Sequence, residues 1–419
     1  MFITTAATNM VASELAKGNN SSAERITSEA LFLALCSGSM LAVLVFTAGR
    51  PLLMQIAGHA SATVVPSALR YASIRAIGQP FVVMASVARA SALVKKDTLG
   101  PLLSVAIAFV LNAFGTATLI KYTNLGIMGA AIGTLCADVI ATTFLLRRIQ
   151  WLRRKEYNLM EPTTIAVAST NTTTASPILT TKSINNQIQK STSIPPLFVI
   201  PTGDNFRRFL RYAAPIFFTL LGKTVVYNGI ALSVGRQGSV SLAAHQVLLG
   251  CFFFFCPIGD SVGMTSQVFL PGILNKEQRT GKPERGAKRL MFSVGVTAGA
   301  IAAAFAGLLP SRGAGLFTKD ALVKAALQRT SPILAFSVSM HAIAITCEGM
   351  LLAQKDLGFL STSYIVTTFA AIGLMISPLR PTTLGQSWGI LASFQGIRAL
   401  QFMFRNLLIT RRKERQYNK

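Results

Sequence analysis

Apolar residues in this chain come in long unbroken blocks, with polar residues confined to the breaks between them. Ten blocks, roughly 31–49, 76–94, 101–120, 127–146, 213–235, 243–274, 290–309, 331–353, 360–379 and 385–404, match the ~20 residues a helix needs to cross a bilayer. None alternates polar and apolar positions with the period of two of a barrel strand. Runs this long satisfy their backbone in lipid as helices. The pattern predicts an all-α polytopic membrane protein with about ten full spans. Residues 1–15 read as the end of a further, N-terminal partial helix.

The pattern breaks between residues 149 and 205. The stretch "TTIAVASTNTTTASPILTTKSINNQIQKSTSIPP" is rich in Thr, Ser, Asn and Pro and has no sustained apolar face. It reads as a flexible linker. The expected organisation is an N-terminal lobe (1–148), a Ser/Thr-rich inner linker (149–205), a C-terminal lobe of six helices (206–404) and a basic inner tail (405–419). Asn171-Thr172-Thr173 matches a glycosylation sequon, which an inner position of the linker discounts.

Composition agrees with the pattern. Only 13% of residues are charged and 51% are hydrophobic, against about a quarter charged in a soluble chain. The formal net charge of +25 raises nucleic acid as a partner. The basic residues, however, lie at the ends of apolar blocks, where membrane topology puts them. With the linker on the inner side, inner segments hold 27 of the 40 Lys and Arg residues and outer loops hold ten. The expected partners are therefore a lipid bilayer and a small organic molecule, with no nucleic acid, and the chain reads as a monomer.

Nothing in the sequence supports an enzyme, a cofactor or a metal site. Cys36, Cys136, Cys251, Cys256 and Cys347 all fall in apolar blocks without a C-x-x-C pair and read as small buried hydrophobes. There is no H-E-x-x-H. "GKT" at 222–224 resembles the tail of a phosphate-binding loop, but Phe217 stands where that loop needs Gly.

The chain also repeats itself. "SALVKKDTLGPLLS" (91–104) and "EGMLLAQKDLGFLS" (348–361) share their punctuation. Lys96-Asp97 and Lys355-Asp356 differ by 259 positions (355 − 96), as do Leu125-Gly126 and Leu384-Gly385, and Leu93 and Leu352. Upstream, "TNMVASELAKGNNSSAER" (8–25) resembles "SQVFLPGILNKEQRTGKPER" (266–285). One offset held this far implies a duplicated unit, as in transporters built from two lobes with a site between them. The second lobe begins near Phe206, and its counterpart of Met1 lies near Gly259. The first lobe is then expected to lack about 54 residues (259 − 206 + 1), one helix and half of another. A complete form would have twelve helices.

Several motifs resemble the multidrug and toxic compound extrusion (MATE) family: "YASIRAIGQP" (71–80), "KKDTLGPLL" (95–103), Asn112, "LGIMGAAIGT" (125–134), "LAAHQV" (242–247) and "EGMLLAQKDLGFLS" (348–361). "AAHQVLLGCFFFFCPIGDSVGMTSQVFLP" (243–271) and "SFQGIRALQF" (393–402) are similar to its plant and algal plastid branch, which includes transporters tied to salicylate export. The resemblance implies a two-lobe helix bundle that exports small organic compounds in exchange for H+ or Na+, and a plastid envelope location. Two departures stand out. The helix that carries a coupling acid in some branches is expected to lie outside this sequence. Many multidrug members have an acid eight residues after the Pro of the seventh helix; here that position is Lys223. This favours an organic or aromatic anion over an organic cation, the alternative substrate class. A transport-inactive membrane protein is the further alternative.

Charges inside spans are costly and mark function or pairing. Glu348 is a candidate proton carrier or a structural partner for a cation. Lys223 is a candidate anion contact, or a partner of Glu348 or Asp260. Asp260, after Pro257, and Asp138 are further coupling candidates with structural readings beside them. Arg89, Asn112, His245 and Gln246 are candidates for a substrate cavity. "CFFFFCP" (251–257) reads as an aromatic wall or as core and lipid-facing Phe. Gly129-Ala130-Ala131 and Ala300–Ala304 read as close helix packing.

Overall fold

The computed structural model describes residues 2–57, 65–170, 196–280, 285–378 and 380–417. Twelve helices run along them: α1 (Phe2–Ala16), α2 (Asn20–Ala57), α3 (Val65–Val94), α4 (Leu99–Tyr122), α5 (Ile127–Thr170), α6 (Gly203–Gly235), α7 (Ser239–Thr280), α8 (Arg285–Arg312), the one-turn α9 (Ala314–Phe317), α10 (Ala321–Ala353), α11 (Leu357–Ile376) and α12 (Leu384–Tyr417). Ile3–Phe206 and Arg207–Lys419 form two compact units. Residues 171–195, including Asn171 and the middle of the expected linker, lie outside the described residues. The first part of the expected linker, 149–170, is helical, because α5 continues to Thr170.

Among the described residues, nine helices are long and apolar enough to cross a membrane: α2–α8, α10 and α11. The chain is a multi-pass membrane protein. The tenth expected span, 385–404, is a helix, α12, but falls outside this set. Its polar residues account for the shortfall, since Ser387, Gln395 and Arg398 are all fully buried in the second unit. The cysteines also differ from expectation in part. Cys251, Cys256 and Cys347 are buried, whereas Cys36 and Cys136 lie on exposed faces.

The duplicated "KD" punctuation folds into the same turn twice. Asp97 N–H donates to the Ala92 carbonyl (2.9 Å) and Lys96 N–H to that of Leu93 (2.9 Å). In the second unit, Asp356 N–H donates to Leu351 (3.1 Å) and Lys355 N–H to Leu352 (3.0 Å). Both are Schellman closures of a helix end. Each puts its lysine in the left-handed region, with φ 65° at Lys96 and 63° at Lys355. Each aspartate then holds an arginine two helices on. Asp97 accepts from Arg148 Nε (2.8 Å) and Nη2 (2.9 Å) on α5. Asp356 accepts from Arg405 Nε (2.7 Å) on α12.

The Arg148 guanidinium donating to it holds the Asp97 carboxyl below the usual carboxylate range. A carboxyl whose folded pKa is depressed contributes stability above its unfolded pKa and loses it as pH falls. Protein carrying Asp97→Asn should therefore melt below the natural chain at neutral pH. The two melting curves should converge as pH falls below about 4, measured by thermal unfolding in detergent.

In the second unit, α10 is the central helix and packs against α7, α8 and α12. Two glycine pairs let it approach closely. On α7, a Cβ at Gly259 would meet the Ala342 Cα at 2.7 Å, and one at Gly263 would crowd Ile345. On α8, a Cβ at Gly299 would lie 2.7 Å from the Ala342 Cβ, and one at Gly295 would overlap the Thr346 side chain. "GDSVG" (259–263) and "GVTAG" (295–299) are small-x-x-x-small stripes, the usual device for close helix crossing in lipid. In the first unit the expected stripe on α5 does similar work. A Cβ at Gly129 would meet the Leu119 backbone at 3.2 Å, and Ala131 is fully buried.

Candidate functional site

The site is built on α10. A carboxylate placed there, Glu348, is 8% exposed and five residues from the helix end (353 − 348), or ~7.5 Å along the axis. Desolvation at such a position is severe unless partners replace water. Three do so. Lys223 of α6 donates from Nζ to Oε1 and Oε2, both at 3.2 Å. The Tyr364 hydroxyl of α11 donates to Oε2 at 2.5 Å. Arg398 of α12 brings Nη2 to 3.7 Å from Oε2, an ion pair beyond hydrogen-bond reach. Four helices thus converge on one acid.

Arg398 is fully buried and is held by more than that acid. Nη1 donates to Gln395 Oε1 (2.9 Å), and Gln395 Nε2 donates to the Tyr227 hydroxyl (3.0 Å). Its guanidinium carbon lies 4.4 Å from the Tyr364 ring centroid and 4.8 Å from that of Phe394. Lys223 Nζ also faces the Tyr364 ring, at 5.2 Å. Aromatic faces stabilise a desolvated cation in this way. Two cations contact this one carboxylate, and Asp260 adds a second negative charge that Lys223 feels through space.

Asp260 does not join this cluster through a hydrogen bond. It lies on an exposed part of α7, which runs on through Pro257, and its Oδ1 is 3.0 Å from His341 Nε2 on α10. Of the two partners open to Lys223 in the sequence, Glu348 is the one it contacts. His245 is buried beside the Trp388 ring, 5.8 Å away between centroids. Its neighbour Gln246 is exposed. In the "CFFFFCP" run, Phe252 is buried against Tyr227, His341 and Trp388, while Phe253 and Phe254 face outward.

The first-unit candidates lie apart from these. Asp138 on α5 accepts from Arg75 Nη1 on α3 at 2.8 Å, rather than from the arginines that follow it on its own helix. Arg89 is half-buried on α3. Asn112 on α4 accepts through Oδ1 from Thr116 (3.0 Å) and Thr134 (2.8 Å), which ties α4 to α5. No group of three His, Cys, Asp or Glu side chains suited to a metal occurs among the described residues.

Tyr364, Gln395 and Tyr227 were not legible as site residues from sequence. Tyr and Gln are ordinary in an apolar helix, so no local signal marked them. Arg75 and His341 had one usable signal. An acid in a span requires a partner, and each is a basic side chain on a neighbouring span.

Comparison with known proteins bears on this architecture. The family model MatE matches residues 1–118. "Protein DETOXIFICATION 47, chloroplastic" of Arabidopsis thaliana is 26% identical over 399 residues, covering 94% of this chain and 66% of that protein. "Protein DETOXIFICATION 42" of the same plant is 22% identical over 345 residues, 82% of this chain and 59% of its own length. "Protein DETOXIFICATION 44, chloroplastic" is 25% identical over 337 residues, 78% and 55%. The chain spans only between 55% and 66% of the length of these relatives.

Among solved structures, a MOP superfamily transporter from Pyrococcus furiosus aligns with TM-score 0.73 and 16% identity, over 99% of this chain and 84% of that one. An outward-facing multidrug resistance MATE family transporter aligns with TM-score 0.72 and 15% identity, with the same coverage. At such identities the likeness shows the fold. With a family match at its N-terminal end and relatives aligned along nearly all of it, the chain is similar to the multidrug and toxic compound extrusion (MATE) family.

Proposed function

We propose that this chain serves secondary active efflux of a small organic compound, an organic or aromatic anion, in exchange for H+ or Na+, across the plastid envelope. The observation that carries the reading is the Glu348 cluster: a buried carboxylate shared by Lys223, Arg398 and Tyr364. Its two cations favour an anionic guest. The chloroplastic relatives support the location.

Proteoliposomes test this. An imposed pH or Na+ gradient should drive a labelled aromatic carboxylate against the direction of cation flow. Aromatic acids should compete and cationic dyes should not. Movement of acid and cation in the same direction would overturn exchange, and competition by dyes alone would overturn the anion assignment.

A further inference from the structure

A cavity lies at the end of the second unit that carries the Lys355-Asp356 turn. It opens between the start of α8, the end of α10 and the end of α12, with a volume near 490 Å³. Its two sides differ in chemistry. Lys288, Arg289 and Arg411 stand at the rim, and Phe292, Met403 and Leu407 form the wall. No acid is among its described lining residues.

The floor is fixed. Met350 and Phe292 belong to a core cluster with Leu270. Asn406 donates to the Cys347 carbonyl at 3.0 Å and accepts from Gln354 at 2.9 Å, which binds α12 to α10. The outer side is open and apolar. Leu407 is 49% exposed, Phe404 62% and Leu290 63%, so the wall runs on to a surface suited to lipid.

We infer that this cavity is a binding site for an anionic lipid. The acidic headgroup sits on Lys288, Arg289 and Arg411, and an acyl chain lies along Phe292, Met403 and Leu407. Three observations select this occupant. Arg289 and Arg411, with no acid among the described lining residues, call for a negative group. The volume is in the range of small-molecule sites, sufficient for a headgroup and the first part of a chain. The apolar wall leads outward to the lipid-facing surface rather than inward. Basic pockets between helices at the inner membrane face bind acidic headgroups on these terms. A soluble phosphate shares the headgroup chemistry but would leave the wall unused.

Thermal unfolding of the purified full chain in detergent tests the assignment, with phosphatidylglycerol, phosphatidylcholine or inorganic phosphate added. Phosphatidylglycerol should raise the melting temperature and phosphatidylcholine should not. In the double variant Arg289→Gln/Arg411→Gln, the half-effect concentration should rise about tenfold or more, from two lost charges near the surface. The variant Arg312→Gln/Arg329→Gln removes two exposed cations from the opposite ends of α8 and α10 and should respond as the natural chain does. An equal loss in both variants would reduce the effect to general charge attraction and overturn the site. An equal rise with inorganic phosphate would overturn the lipid as its occupant. Should Arg289→Gln/Arg411→Gln not fold, lipids retained by the natural chain on native mass spectrometry decide. No preference for phosphatidylglycerol over phosphatidylcholine would overturn the proposal.

Discussion

Replacing Glu348 with Gln should abolish gradient-driven exchange and also lower stability by about 3–5 kcal/mol. Both effects come from one geometry. The amide keeps the shape of the acid but not its charge, and so leaves Lys223, 3.2 Å away, and the fully buried Arg398 without their carboxylate. The two effects separate in a second variant. Lys223→Met with Glu348→Gln removes one cation together with the anion, and should recover a large part of the lost stability. It should recover no exchange, because the titratable or ion-binding group is still missing. Melting in detergent reads the first effect and proteoliposome exchange the second. Exchange at the natural rate by Glu348→Gln would remove Glu348 from the mechanism and leave it a structural group.

The second large effect is expected one residue further on. A Cβ at Gly349 would collide with the Gly263 carbonyl oxygen of α7. Both partners at this crossing are backbone, so no rotamer change relieves the overlap. The helices must separate, and overpacking of this kind costs about 1–3 kcal/mol. Gly349→Ala should therefore melt well below the natural chain. It should also disturb the Glu348 cluster by moving α10. Gly250→Ala on α7 is the control. It has open space around the added methyl and should be neutral or slightly stabilising, since Ala is the better helix former. Equal losses from the two substitutions would show that helix propensity, not the α7–α10 approach, governs the result.

What was legible in the sequence was what is local. A block of apolar residues announces a span by itself, and the "KKD" and "QKD" stops could be paired because a Schellman turn is written within a few residues. The stripes at 259–263 and 295–299 were equally local, though they were passed over for the Ala-rich run at Ala300–Ala304. The site was legible only by half. Glu348, Lys223 and Asp260 stood out as charges in spans, but not which of them meet. Lys223 and Glu348 are 125 positions apart and Gln395 and Tyr227 168 apart, and such pairings depend on which helices become neighbours. Asp138 shows the same limit, since its partner Arg75 is 63 positions away on α3. For α12 the difficulty was of another kind. A hydropathy sum assumes that an inserted helix is apolar all round, whereas this one keeps its polar residues on the side facing its neighbours.

That arrangement has a consequence for how the protein is made. Ile397, Leu400, Phe404 and Leu407 point outward from α12, and Ser387, Gln395 and Arg398 point inward. Presented alone to an insertion machinery, such a helix exposes an arginine to hydrocarbon, at ~2.5–3.5 kcal/mol near the bilayer centre on insertion scales. Presented together with α10 and α11, it hides that arginine against Glu348 and Tyr364. Helix α12 therefore enters the bilayer against its partners and not alone. Because α10 and α11 are synthesised first, they are already in place when α12 emerges.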